Sequence, residues 1–108
     1  ICCTQPRRVA TQRIAERVAD EYKTKVGDLV GFRVGSRGRS ASESKKVSDK
    51  TIIEFVTEGL LLFNLSHSKD AVLRYDCIIV DEAHERNAEQ DLLLSLLRER
   101  LVEAKTER

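Results

Sequence analysis

Short apolar runs alternating with amphipathic stretches predict an α/β fold, a mostly parallel sheet flanked by helices. Three runs carry the strand half of that reading: Ile1–Thr4, Thr51–Val56 and Cys77–Val80. The helical half rests on apolar residues that recur three and four positions apart between and after them. In such sheets, function gathers at the carboxyl ends of the strands. That rule points to Thr4–Arg8, Thr57–Gly59 and Asp81–Arg86.

The first run stops at Gln5-Pro6, and proline suits the first position of a helix because its missing N–H has no partner there anyway. Ala10, Ile14, Ala15, Val18, Ala19 and Tyr22 form the apolar stripe of that helix, which should end near Lys25, before Gly27. Leu29–Val34 is a second short strand. Gly35–Ser44 then has the Gly/Ser/Arg composition of an exposed loop, with polar character reaching to Ser48. Its glycines do not match G-x-x-x-x-G-K-[ST], and no Gly-Lys pair occurs in the chain, so it is no phosphate cradle.

After Thr51–Val56, Glu58–Leu65 reads as a short helix and Ser66–Lys69 as a polar turn with a solvated His67. The unbroken run Cys77-Ile78-Ile79-Val80, bounded by Asp76 and Asp81, is the pattern of a central parallel strand buried on both faces. From about Ala88 a terminal helix carries Leu92, Leu93, Leu96, Leu97, Leu101 and Ala104.

The 108 residues, 41% hydrophobic and 34% charged, are enough for one small domain with a modest core. The chain opens at Ile1 without an initiator methionine and ends inside a helical pattern, so it reads as a piece of something larger. A net charge of +1 excludes neither nucleic acid nor an acidic partner. Arg7, Arg8, Arg13 and Arg17 cluster early, and Arg37, Arg39, Lys45 and Lys46 cluster later. Three cysteines, Cys2, Cys3 and Cys77, lack C-x-x-C spacing and fit a reducing, intracellular compartment. No run is long enough to span a membrane, so no membrane partner is expected.

Asp81-Glu82-Ala83-His84 follows the most apolar strand directly, holding two carboxylates at the rim of a sheet. Adjacent carboxylates can divide the tasks of hydrolysing a nucleoside triphosphate, one holding Mg²⁺ and the other orienting water. Equally, they can cap the helix that follows, where acidic groups favour the positive end of its dipole. A zinc site built from Asp81, Glu82, His84 and Glu85 fails on spacing, because position 88 is alanine rather than a second histidine.

The string Asp81-Glu82-Ala83-His84-Glu85-Arg86 after C-I-I-V resembles motif II, the Walker B element, of the DEAH-box helicases. Thr4-Gln5-Pro6-Arg7-Arg8-Val9-Ala10 resembles motif Ia of that family, and Thr57-Glu58-Gly59 its motif Ib. The three stand in family order, each at the end of a predicted strand. The resemblance implies that residues 1–108 are part of the first RecA-like domain, a P-loop NTPase fold. It implies ATP or another NTP and Mg²⁺ as cofactors and single-stranded RNA as partner. By position, Asp81 would hold Mg²⁺ through its water shell, and Glu82 would polarise the attacking water close to that ion and the nucleotide. His84 would couple nucleotide state to other motifs, and Arg86 would brace the loop. Arg7, Arg8, Thr57 and Gly59 would meet the backbone of the strand. Departures from the family pattern fall at Glu58, Asn87 and Gly35-Ser36, none of them a hydrolytic carboxylate.

The family's phosphate loop lies upstream of motif Ia, and its S-A-T motif and second RecA-like domain lie downstream. None is in this sequence, so the 108 residues alone are expected neither to bind ATP measurably nor to unwind anything. The parent is expected to be an intracellular, cytoplasmic or nuclear RNA helicase. An inactive RNA-binding scaffold and a DNA-directed helicase remain alternatives.

Overall fold

The computed structural model describes residues 1–35, 44–81 and 88–107. Five strands form one sheet: β1 (Cys2–Gln5), β2 (Val30–Arg33), β3 (Lys45–Lys46), β4 (Ile53–Thr57) and β5 (Ile78–Val80). Their order is β3-β2-β4-β1-β5. All pairs are parallel except β2–β3, where Phe32 faces Lys46 and Arg33 faces Lys45. Parallel strands need crossovers: a helix supplies the one from β1 to β2, while the connection from β2 to β4 passes through β3. The α1 helix (Arg8–Glu21) follows β1, α2 (Glu58–His67) follows β4 directly, and α3 (Ala88–Glu107) is the last element.

Strand alternation sorts the side chains onto two faces. On one, Ala15 and Ala19 of α1 pack against Val30, Phe32, Val34 and Phe55. On the other, Leu61 and Leu65 of α2 and Leu93 and Leu97 of α3 close over Cys2 and Val56, joined by Ala71 and Val72 of a short 3-10 segment at Lys69–Arg74. Arg100 ties α3 to α2, donating from Nε to the Leu65 carbonyl at 3.3 Å and pairing with Glu103 at 3.1 Å.

Several boundaries differ from the sequence expectations for identifiable reasons. Pro6 lies outside α1, which begins at Arg8 with Arg7 in extended conformation as its cap. The helix also stops early, at Glu21, where Lys23 takes a positive φ of 58° that reverses the chain. Within it the buried stripe is Thr11, Ala15 and Ala19, so Ala10 and Tyr22 are exposed; the buried Thr11 hydroxyl is satisfied by donating to the Arg7 carbonyl at 2.6 Å. In α3 the buried stripe runs through Gln90, Leu93 and Leu97; Leu92 sits off it and is exposed, and Leu101, one turn beyond Leu97 on the same stripe, is exposed as well. The polar stretch to Ser48 is not all loop: the Val34 amide donates to the Ser44 carbonyl at 2.7 Å, and Lys45–Lys46 then pair with β2. The rest of that loop, 36–43, lies outside the described residues.

One expectation is overturned. Cys77–Val80 was expected to be a central strand buried on both faces. Among the described residues β5 is an edge strand, and Ile79 is 47% exposed. Its apolar run marks two faces that can be covered, but only one of them has helices over it here.

A polar cluster sits among the strands. Glu54 of β4 accepts from Arg33 Nε at 3.3 Å and from the Tyr75 hydroxyl at 3.0 Å. Burial, reinforced by the Glu54 charge, pushes the neighbouring Cys2 thiol up to about 12. Burial raises Cys3 as well. All three cysteines are free thiols, and only Cys77 is exposed. Because the thiolate is the reactive form, iodoacetamide at neutral pH is expected to alkylate Cys77 first, Cys3 more slowly and Cys2 only on unfolding. Peptide mass spectrometry over a time course reads the order, and early labelling of Cys2 would contradict this packing.

Candidate nucleotide and strand-contact site

The sheet register sets the ends of β4, β1 and β5 side by side. Gln5 is level with Thr57, and Thr4 is level with Val80, so Asp81 emerges next to Gln5. The Gln5 side-chain amide donates to Asp81 Oδ2 at 2.7 Å. Gln5 is itself buried, which holds the amide in place and thereby orients the carboxylate. Sequence reading passed over Gln5 as part of a longer string. The available signal was a side-chain amide at a strand end level with another strand that stops in a carboxylate.

Asp81 is a hard oxygen donor at the rim of the sheet, of the kind that holds Mg²⁺ through water. Glu82, His84 and Arg86 lie outside the described residues, in the stretch 82–87. Among the described residues no group of three or more His, Cys, Asp or Glu side chains could hold a metal ion.

On the other side of Gln5 the chain turns through Pro6 into α1. Arg8 lines a cleft of about 590 Å³ together with Gly35, Thr57, Gly59, Phe63 and Glu89. Three of the four expected strand-contact residues thus share one cleft. Arg7 lines a separate groove of about 560 Å³ beside Arg13 and Arg17, so the two adjacent arginines address different surfaces.

Two glycines shape the first cleft. A Cβ on Gly35 would stand 3.2 Å from the Arg8 guanidinium, and one on Gly59 would stand 3.2 Å from Glu89 Oε1. Their bareness lets a cation and an anion close in on the backbone from opposite elements. Neither cap residue, Arg7 of α1 or Thr57 of α2, makes a side-chain cap hydrogen bond. The positive end of α1 therefore adds to the Arg8 charge near the cleft, whereas Glu58 in the first turn of α2 offsets the positive end of that helix. Thr57 is the cap residue of α2 and the last residue of β4, which fixes its position from two directions.

Phe63 and Glu89 are cleft residues that the sequence did not single out. Phe63 falls inside the short helix expected at Glu58–Leu65, and Glu89 in the first turn of the terminal helix. His67, expected to be solvated, is exposed but engaged, stacked on Phe63 with ring centroids 4.1 Å apart.

Comparison with known proteins gives this geometry a context. No family model matches the chain. The ATP-dependent RNA helicase HrpA of Escherichia coli is 41% identical over 98 residues, which is 91% of this chain and 7% of that protein. The HrpA homolog of Haemophilus influenzae is 38% identical over 98 residues, with the same shares. The crystal structure of the Escherichia coli DEAH/RHA helicase HrpB matches with a TM-score of 0.77 at 34% identity, over 92% of this chain and 12% of that one. The fold is that of a helicase segment. The chain spans 7% of the length of the curated helicases it matches, so the likeness is to one stretch of them. No helix among the described residues is long and apolar enough to cross a membrane.

Proposed function

We propose that this chain is part of the first RecA-like domain of an intracellular DEAH-box RNA helicase, whose hydrolysis of ATP drives movement along a single strand. The observation that carries the proposal is the 2.7 Å bond from Gln5 to Asp81. It joins the end of the strand-contact segment to the carboxylate assigned to the nucleotide. A change of nucleotide state that moves Asp81 is felt by Gln5, and from Gln5 only Pro6 and Arg7 separate it from Arg8.

In this reading Asp81 would hold Mg²⁺, which when bound would supply neutralisation of phosphate charge. Glu82 orients the attacking water, and His84 links the nucleotide to the rest of the motor. Arg8 attracts the strand's phosphates, Thr57 adds a hydroxyl donor, and Gly59 lets the backbone approach. Arg7 contributes to the field from its own groove. Contacts of this kind position a strand without reading its sequence. A second RecA-like domain completes the nucleotide site from outside this chain, and the 108 residues alone remain inactive.

The test is ATP hydrolysis by the intact protein alone, with single-stranded RNA, and with single-stranded DNA. Stimulation by RNA above DNA is the expected result. Preference for DNA would move the assignment to a DNA-directed helicase. Strand binding with no hydrolysis would make it a scaffold.

A further inference from the structure

On the basis of that strand-binding reading, we infer that Phe63 is a base-stacking residue, receiving a nucleobase of the strand whose phosphate sits on Arg8 and Thr57.

Leu61 and Leu65, 2% and 0% exposed, turn the opposite side of α2 into the core. Phe63, between them in sequence, is directed outward and is 58% exposed. It opens on the cleft that also holds the Arg8 guanidinium and the Thr57 residue. A flat apolar ring beside a cation is the combination that single-strand clefts use: the charge takes the backbone and the ring takes the base. At about 590 Å³ the cleft is in the size range of single-ligand sites. Glu89 stands on the α3 side. Its negative charge disfavours a phosphate there and biases the backbone toward Arg8.

The ring is also held ready. His67 lies one helical turn on, its ring stacked on Phe63 at 4.1 Å and 28° between planes. His67 Nδ1 is 2.8 Å from the Phe63 carbonyl oxygen, which can only accept, so Nδ1 carries the proton and the imidazole is pinned. Phe63 is thereby backed on one face and offers the other. Little side-chain freedom is lost when a base lands on it. Stacking of this kind accepts any base, so the contact should add affinity without sequence preference.

Two measurements on the intact protein test the inference. A single-stranded RNA carrying 5-iodouridine is irradiated in the complex, and the adduct is expected on the peptide containing Phe63. Strand affinity is then compared for Phe63→Ala, Phe63→Leu, Phe63→Trp and Arg8→Ala. Loss of the aromatic face in the Ala and Leu variants should weaken binding about 5- to 100-fold, the span of one base–aromatic stack, whereas Trp should retain it. Wild-type affinity in Phe63→Leu, with Arg8→Ala still weakened, would overturn the stacking role and leave the strand-binding reading intact. Failure of the unaltered protein to bind any strand would overturn both.

Discussion

Glu82→Gln in the intact protein is expected to lower ATP turnover about 10²- to 10⁴-fold, the range a positioned acid–base group contributes, while leaving nucleotide affinity within a few-fold of the original. Glutamine keeps the size of glutamate and its capacity to accept a hydrogen bond through one oxygen. It lacks the negative charge that, in the proposed role, would polarise the attacking water. The ground-state contacts to nucleotide do not depend on that charge, so binding and hydrolysis should separate. Such a split, kcat down and Kd nearly constant, marks an interaction made mainly in the transition state. Single-turnover hydrolysis together with equilibrium nucleotide binding reads both quantities. The fixed carboxylate among the described residues is Asp81, which β5 delivers to a buried amide at 2.7 Å; Glu82 follows it in sequence. Unchanged turnover would remove Glu82 from the chemistry and return Asp81-Glu82 to the other reading, a pair of acids at the start of a helix.

How much of this was legible in the sequence depends on the range of the forces involved. Strands and helices follow from short-range periodicity, and each apolar run did become a strand within one or two residues of its expected limits. Strand order is a long-range property. Nothing in C-I-I-V states that its neighbour on one side is β1, so a run apolar enough for the middle of a sheet proved to be an edge among the described residues. The same limit explains the site. Gln5, Thr57 and Asp81 are scattered over 77 positions, and only the register of three parallel strands makes them neighbours. Arg7 and Arg8 looked equivalent because adjacency in sequence hides the turn into α1, which sends one to each side. Phe63 was overlooked for a related reason. An apolar residue in a helix reads as core until the packing shows which face is covered, and here Leu61 and Leu65 take the core and leave it to the cleft.

Gly31→Val is expected to be the most damaging single substitution to the fold, and Gly31→Ala to cost roughly 1–3 kcal/mol, the usual range for overpacking a filled site. Gly31 is buried in the middle of β2, between β3 and β4. A Cβ there would run into the Lys46 carbonyl oxygen and come within 2.8 Å of Val47 Cγ1 and 3.2 Å of Thr51 Cγ2. The obstacle is a strap of backbone, and that strap is anchored. The Ser48 amide donates to Thr51 Oγ1 at 2.9 Å, the Thr51 hydroxyl donates to the Asp28 carbonyl at 2.6 Å, and the Ile52 amide donates to the Leu29 carbonyl at 2.9 Å. Moving the strap breaks these bonds. Moving β2 instead disturbs Val30 and Phe32, both 1% exposed and both in the core beneath α1. Valine adds two further carbons in the same direction and leaves neither adjustment small. Gly35→Ala is the matching control, since its Cβ meets only the mobile end of Arg8 at 3.2 Å. Urea unfolding followed by circular dichroism should place the midpoint of Gly31→Ala well below that of Gly35→Ala. Equal midpoints would mean that the strap over β2 yields freely, and the two-residue pairing of β3 would then be too weak to define that edge of the sheet.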